Sequence, residues 1–478
     1  MAGRAKSARK AVGAKVGRVE RPNVDDVRHH LSALVMEHRS IDALIPNRRN
    51  ARTHSARQVS QLAASIKAFG FLVPALIDQD GNILAGHGRI EAARSLDLKE
   101  VPVCIVSHLT PVMKRMFAIA DNRLAELAGW DEDLLRAELE ELSAAVGFDV
   151  EITGFDSIDI DRICAPNESE STNHDDVVDP VEPGGIAISR PGDVWQLGRH
   201  RLLCANALDP ESWRVLMEGN KAQLAFTDPP YNVKIDGHVS GLGSVKHREF
   251  VMAAGDMTPN EFTSFLAQAF ARMAEHSRDG SIHFICMDWR HQKELLDAAL
   301  SIYGDYKNLC VWNKTNAGMG SFYRSQHELV HVFKVGNARH INNFGLGEKG
   351  RYRTNVWTYA GVNTFRRGRD EELSDHPTPK PVLMVMDALR DCSNRGDIVI
   401  DPFGGSGTTL IAAERARRFA YLMEIDPLYV DSTIRRWEKA TGETARLAAT
   451  GATFEDVAAG RQQEPPSNLL QVSREGRG

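Results

Sequence analysis

The sequence predicts an α/β fold, and three observations predict it. From about Gly192 to Thr450, apolar runs alternate with helical patterns, as helices layered on a sheet require. Two of those runs end in unusual turns: Leu224-Ala225-Phe226-Thr227 stops at Asp228-Pro229-Pro230-Tyr231, and Ile398-Val399-Ile400 runs through Asp401-Pro402-Phe403 into Gly404-Gly405-Ser406-Gly407-Thr408-Thr409. A smaller α+β unit lies ahead of this region, from Ile41 to about Val106.

The chain of 478 residues has room for about three domains. At 42% hydrophobic and 26% charged residues it has an ordinary globular composition, with no apolar stretch of the length a membrane helix needs. The net charge of −6 argues against a uniformly basic nucleic-acid coat, so any DNA contact must come from local patches. The six cysteines are widely spaced with no Cys-x-x-Cys, which excludes a disulfide framework or zinc ribbon and fits a reducing cytosol. No metal site is expected, and no membrane contact. None of the cysteines follows a proline.

Taken in order, residues 1–28 read as a basic, disordered arm without the apolar core of a secretory signal, serving either as a polyanion contact or as a solubilising tail. Within 29–108, Val59, Leu62, Ala63, Ile66 and Phe69 fall at helical spacing, and Gly70 supplies a C-cap. Leu72 to Asp78 reads as a strand, Asp80-Gly81 as a turn and Asn82 to Ala85 as the return. Gly86-His87-Gly88-Arg89 opens a second helix, Ile90 to Leu96, and Val101 to Val106 is the next strand. Residues 109–164 read as a helical extension, 165–191 as an acidic flexible linker, 192–450 as the main α/β domain and 451–478 as a disordered tail.

The first turn suits a flat ring carrying an amino group. Two prolines fix φ and remove two N–H donors, so carbonyls can face a cleft beside the Asp228 carboxylate and the Tyr231 ring. A Pro-rich strand-to-loop turn without a ligand is the plain alternative. At the second turn the glycines permit close approach of backbone to a ligand, and the following helix offers free N–H groups. A phosphate-binding P-loop would need Lys after Gly407, where Thr408 stands. A dinucleotide fingerprint would need a small residue where Leu410 stands, so it fits in part. S-adenosylmethionine is the third option, because Glu424 at the tip of the next strand is placed to accept both hydroxyls of a ribose. An unliganded βαβ unit remains the bland reading.

Asp228-Pro229-Pro230-Tyr231 together with Asp401-Pro402-Phe403-Gly404-Gly405-Ser406-Gly407-Thr408 resembles the S-adenosylmethionine-dependent DNA amino-methyltransferases. With the catalytic motif ahead of the cofactor motif, the order is that of the circularly permuted β class. His376-Pro377-Thr378-Pro379-Lys380-Pro381 and Met423-Glu424-Ile425-Asp426 resemble two further elements of that family. The resemblance implies a Rossmann-like methyltransferase sheet with S-adenosylmethionine as cofactor. It implies a catalytic turn at Asp228, Pro229, Pro230 and Tyr231. Cofactor contacts are implied at Asp401, Phe403, Gly404, Gly405, Ser406, Gly407, Thr408, Glu424, His376, Thr378 and Lys380. Where the family often has Gly-Asp-Ala, this chain has Cys204-Ala205-Asn206-Ala207.

Such an enzyme positions a weak aryl-amine nucleophile for in-line attack on an activated methyl group. The Asp228 carboxylate and the Pro229 carbonyl would accept the amine's hydrogens and Tyr231 would stack on a flipped base. Asp in the first motif position resembles the adenine N6 pattern more than the cytosine N4 pattern, and the missing Pro-Cys disfavours carbon-5 methylation. Double-stranded DNA is the expected partner. A target-recognition segment is expected near 336–372, with Arg351, Arg353, Arg366 and Arg367 for DNA and Tyr352, Trp357, Tyr359 and Phe365 interleaved. The Gly-rich stretch Asn313 to Arg324 would close on the flipped base or on DNA, with Arg324 as a contact, unless it is a plain hairpin.

Residues Asn47 to Val106 resemble the ParB/sulfiredoxin-like N-terminal domain through Leu62 to Gly70, Pro74 to Ile77 and Ile83 to Arg89. This implies a small α+β ParB-like domain and helical segment in front of the methyltransferase sheet, with a phosphate or nucleotide site at Gly86, His87, Gly88 and Arg89. Only Gly86 and Arg89 match the ParB phosphate box, and the sulfiredoxin Cys is absent. A cytoplasmic protein of a prokaryote or phage is the expected setting, and a homodimer is among the expected assemblies. Cytosine N4 methylation, a partition-type DNA-binding protein with a non-catalytic methyltransferase fold, and methylation of RNA or a protein amide are the competing readings.

Overall fold

The computed structural model describes residues 35–144, 150–164, 175, 176, 178, 185–233, 255–315, 322–347, 351–360 and 379–462. They form two compact units that divide between Asp156 and Ser157.

The first unit is built on a four-stranded sheet. Its elements are β1 (Val35–Ser40), α1 (Ala56–Phe69), β2 (Ala75–Ile77), β3 (Ile83–Ala85), α2 (His87–Ser95), β4 (Glu100–Ile105), α3 (Pro111–Glu126) and α4 (Glu132–Ala144). The strand order is β1-β4-β2-β3, with β2 and β4 parallel and the outer pairs antiparallel. Ser55 caps α1 by accepting the Gln58 N–H, and Gly70 ends it at φ 84°. Gly86 lies at φ 98°, a conformation that favours glycine, and turns the chain directly into α2. Ile77, Ile83, Ile90, Val101 and Val103 fill the core.

The second unit is a three-layer α/β domain. Its helices are α5 (Ser157–Ile163), α6 (Pro210–Met217), α7 (Pro259–Glu275), α8 (Gln292–Ala299), α9 (Val382–Cys392), α10 (Thr408–Ala416), α11 (Pro427–Thr441) and α12 (Phe454–Gln462). Its strands are β5 (Val194–Leu197), β6 (His200–Cys204), β7 (Ala222–Thr227), β8 (Ser277–Met287), β9 (Asp305–Lys314), β10 (His327–Lys334), β11 (Val356–Tyr359), β12 (Ile398–Asp401), β13 (Phe419–Glu424) and β14 (Arg446–Leu447). They form one sheet in the order β11-β9-β10-β8-β7-β12-β13-β6-β5-β14. The central five, β8-β7-β12-β13-β6, are parallel.

Alternation along β7 shows how the layers form: Leu224 and Phe226 enter the core beneath α9 and α10, and Ala225 enters the opposite core beneath α7. Being buried on both faces, the central strands read in sequence as continuous apolar runs rather than alternating ones. From β7 the chain proceeds to β8 on one side, and from β12 to β13 on the other. The C-terminal ends of β7 and β12 therefore flank a switch point, where open α/β sheets leave a crevice.

Three boundaries differ from the sequence reading. Helix α5 belongs to the second unit rather than to the helical extension: Asp161 pairs there with fully buried Arg418 at 2.8 Å and with Arg395 at 3.0 Å. Within the expected flexible linker, Asp175 pairs with Arg415 at 2.8 Å and Asp176 accepts the Val382 N–H. The expected disordered tail contains α12, whose Phe454 packs edge-on against Trp195 and whose Arg461 pairs with Asp193. In all three the ordering comes from partners far away in sequence, so no local pattern announces it.

Candidate active site

Both motif turns leave the sheet at the switch point. Adjacent parallel strands β7 and β12 pair Leu224 with Val399 and Ala225 with Ile400, so Asp228-Pro229-Pro230-Tyr231 and the glycine loop emerge side by side. One hydrogen bond ties them: Thr227 Oγ1 donates to Asp401 Oδ1 at 2.8 Å. Asp401 Oδ1 also accepts the Phe403 N–H at 3.1 Å, and its Oδ2 accepts Thr409 Oγ1 at 2.7 Å. Burial pushes the Asp401 carboxyl up to about 6 against these donors. Asp401 is thus a brace inside the protein, which corrects the expectation of a cofactor contact through its side chain.

The glycine loop keeps its backbone bare. Gly407 sits at φ 80°, and a Cβ there would lie 2.7 Å from the Thr433 side chain. Thr433 in turn donates to the Gly405 carbonyl, and Arg436 donates to the Ser406 carbonyl at 2.8 Å, so α11 holds the loop from behind. Thr408 begins α10 with its hydroxyl 3.3 Å from the Arg436 guanidinium, and the Phe403 ring packs 5.9 Å from that of Phe265. The Gly404 N–H donates to the Met423 carbonyl at 2.9 Å, and a Cβ there would lie 3.2 Å from Leu422.

At the tip of β13, Glu424 receives two backbone donors: the Gly405 N–H at 2.8 Å on Oε2 and the Asp426 N–H at 2.9 Å on Oε1. Burial lifts its carboxyl to about 7 despite them, with nearby Asp426 and Asp401 adding to the rise. A carboxylate has about four acceptor positions, so two remain. Asn206 closes a local turn by accepting the Leu208 N–H.

The Asp228 side chain is 37% exposed and held on both oxygens. Tyr231 donates its hydroxyl to Oδ1 at 2.5 Å, and Lys380 donates to Oδ2 at 2.7 Å. Lys380, only 6% exposed, also pairs with Glu328 at 2.8 Å, which pairs with Lys314 at 2.5 Å. Burial alone would raise the Glu328 carboxyl, but the two lysines overcome it and hold it at about 2. Burial drives the Tyr231 phenol well above its ordinary range. Lys380, expected as a cofactor contact, therefore stands against the carboxylate of the first motif. Glu328 escaped the sequence reading altogether, and Lys314 entered it only as part of the Gly-rich stretch Asn313 to Arg324.

Arg351 and Arg353 are also corrected. Arg351 pairs with Asp391 at 2.8 Å, while Arg353 pairs with Asp391 at 2.8 Å and donates to the Tyr359 hydroxyl at 2.9 Å. Tyr359 donates to Asp387 at 2.6 Å. These guanidinium groups fasten β11 to α9 and are spent inside the domain. His376, Thr378, Arg366, Arg367 and Phe365 lie outside the described residues. Phe322 and Tyr323 stand 86% and 84% exposed beside Arg324, on the hairpin that joins β9 to β10.

In the first unit, His87 Nε2 accepts the Asn47 N–H at 3.3 Å, and Arg89 reaches the Pro74 carbonyl at 3.5 Å. A Cβ at Gly88 would touch the His54 ring at 3.0 Å. Among the described residues there is no cluster fit for a metal ion, and no helix long and apolar enough to cross a membrane.

Comparisons with known proteins follow this division. Residues 222–435 match the DNA methylase family that acts on N6 and N4 amines, 133–191 the ParB-methyltransferase HTH domain, and 26–122 the ParB N-terminal domain. The front of the chain is 49% identical over 82 residues to the ParB-like nuclease domain-containing protein YnaK of Escherichia coli K12, covering 17% of this chain and 94% of that protein. The type II methyltransferase M.HpaI of Haemophilus parainfluenzae is 26% identical over 257 residues, covering 49% of this chain and 73% of that protein. The PvuII cytosine-N4-specific DNA methyltransferase structure aligns at 14% identity and a TM-score of 0.38, over 55% of this chain and 94% of that one. The chain carries an S-adenosylmethionine-dependent DNA methylase domain of the N6/N4 family, with a ParB N-terminal domain ahead of it.

Proposed function

We propose that this protein methylates the exocyclic N6 amine of adenine in double-stranded DNA, with Asp228-Pro229-Pro230-Tyr231 as the catalytic turn. The observation that carries the reading is the Thr227–Asp401 bond at the switch point, which fixes the Asp228 turn beside the glycine loop and Glu424. Bound there, S-adenosylmethionine supplies a methyl group already activated on a sulfonium. The residues present fit it: Gly405, where a Cβ would meet nothing nearer than 4.0 Å, leaves the loop backbone open to a ligand, and Glu424 has two unused acceptor positions for two ribose hydroxyls.

The protein's own part is positioning. Asp228 and the Pro229 carbonyl accept the two hydrogens of the amine and favour a pyramidal nitrogen. Tyr231 provides an aromatic wall at the same place. The amine is paired inside the duplex, so the base must leave the stack to reach the turn. Exposed Phe322, Tyr323 and Arg324 lie just ahead of β10 in the chain and suit a DNA contact. Asp at the first position of the turn favours adenine over cytosine. The ParB-like unit would aid engagement of DNA.

Incubation with labelled S-adenosylmethionine and DNA of varied sequence, followed by nucleoside analysis, tests this. Label on N6-methyladenine that disappears in Asp228→Ala is expected. Equal incorporation by wild type and Asp228→Ala sinks the reading, and label on N4-methylcytosine overturns the choice of base alone.

A further inference from the structure

We propose that Lys380 is a positioning residue for the Asp228 carboxylate, and that Glu328 and Lys314 form the charge set that keeps it there. The inference rests on the reading of Asp228 as the acceptor of the target amine.

An ammonium has three donors. Two of those of Lys380 make hydrogen bonds, to Asp228 Oδ2 at 2.7 Å and the Tyr231 hydroxyl at 3.3 Å, and the ammonium forms an ion pair with Glu328 Oε2 at 2.8 Å. With Lys380 6% exposed, it has little freedom to point elsewhere. The Tyr231 hydroxyl fills one position on Asp228 Oδ1 and Lys380 one on Oδ2, so one acceptor position stays open on each oxygen. The carboxylate plane is thereby fixed before any base arrives, and an incoming N–H meets a defined lone pair. A carboxylate free to rotate would make that bond in only a fraction of encounters, and positional losses of this kind fall on the chemical step.

Glu328 explains why a buried lysine can be afforded at this place. It lies 12% exposed between Lys380 and Lys314, at 2.8 Å and 2.5 Å. Asp228, Lys380, Glu328 and Lys314 together sum to zero charge. Neutralising Glu328 alone would leave two lysines facing one carboxylate, next to a nitrogen that becomes more positive as it is methylated. β10 carries Glu328 and β9 carries Lys314, and their register sets Glu328 opposite Trp312, over whose ring Lys314 lies at 4.7 Å. The set is therefore built by strand pairing and not by the motif.

Lys380→Gln separates this role from a cofactor contact. The expected result is a fall in kcat of about 100-fold at saturating S-adenosylmethionine, with the cofactor Kd changed less than about threefold. A Kd weakened tenfold or more with kcat at saturation unchanged would make Lys380 a cofactor ligand and overturn the proposal. Glu328→Gln is expected to lower kcat by about 10-fold or more, and Lys314→Met combined with Glu328→Gln to recover most of it, because charge balance returns. Turnover is counted per cofactor-binding site, so loss of folded protein does not mimic the effect. Variants that melt lower yet turn over normally per site would leave the set a merely structural one. Methyl transfer by wild type that does not depend on Asp228 would sink the reading of the site itself, a separate failure.

Discussion

Glu424 should make cofactor binding depend on pH in a way that can be calculated. Burial holds its carboxyl at about 7 in the free protein, and its two filled acceptor positions leave two for ribose hydroxyls. Those hydroxyls can donate to both oxygens only if the carboxyl is ionised, so the bound form favours the charged state. With a free-protein value near 7, about nine-tenths of Glu424 is ionised at pH 8 and about 3% at pH 5.5. Affinity for S-adenosylmethionine should therefore weaken about 30-fold between those pH values, approaching tenfold per unit at the acid end. Below pH 7 a proton should leave on binding, which calorimetry in two buffers of different ionisation heat measures directly. Glu424→Gln should bind about 10- to 100-fold more weakly at pH 8, as loss of charge-assisted bonds requires, and should show no such pH slope. A wild-type Kd that stays flat from pH 8 to 5.5 would refute the reasoning.

Asp401 provides the companion test in stability. Its folded value of about 6 stands above the unfolded carboxylate range, so the folded state prefers the protonated form and its contribution to stability is gained as pH falls through 6. Denaturant titrations should show wild type gaining about 1 kcal/mol over Asp401→Asn between pH 7 and pH 5; parallel curves would exclude the effect. Asp161→Ala strips the partner from fully buried Arg418 and should cost about 3–5 kcal/mol, so a chain starting at Ser157 should melt well above one starting at Ala165. Arg353→Ala should destabilise less, by about 1–3 kcal/mol, because Asp391 keeps its pair with Arg351, while leaving the salt dependence of DNA binding unchanged in filter-binding assays. A lower salt slope for that variant would return Arg353 to the DNA surface.

What could be read from the sequence was what local pattern encodes. The apolar runs of β7 and β12 are buried on both faces, and a turn after such a run is visible without knowing its neighbours. Helix α1 announced itself through spacing and through Gly70. Glu328 gave no such signal. In His327-Glu328-Leu329-Val330 it looks like one polar residue of an ordinary strand, and only pairing of β10 with β9 and the approach of Lys380 make it a buried counter-ion. Arg351 and Arg353 misled for the same reason. A run of arginines looks identical whether it faces phosphate or two carboxylates on α9, and the acids that claim them, Asp387 and Asp391, lie over thirty residues away.

The order of the two motifs along the chain is immaterial to the site for a geometric reason. A parallel pair needs both strands to run the same way, and it is indifferent to which is made first. β7 and β12 satisfy this with Leu224 opposite Val399 and Ala225 opposite Ile400. What matters instead is register, because a slip of one residue moves a strand end by about 3.3 Å and turns every side chain to the other face. Thr227 would then point away from Asp401, and Asp228 would no longer sit within reach of Lys380. Two anchors on different strands hold that register: the Thr227–Asp401 bond fixes β7 against β12, and the Glu328–Lys380–Asp228 chain fixes its far side against β10. The Asp228 carboxylate is thus located from two directions by residues outside its own tetrapeptide, which is why the tetrapeptide alone points to the proposed chemistry but does not build the site.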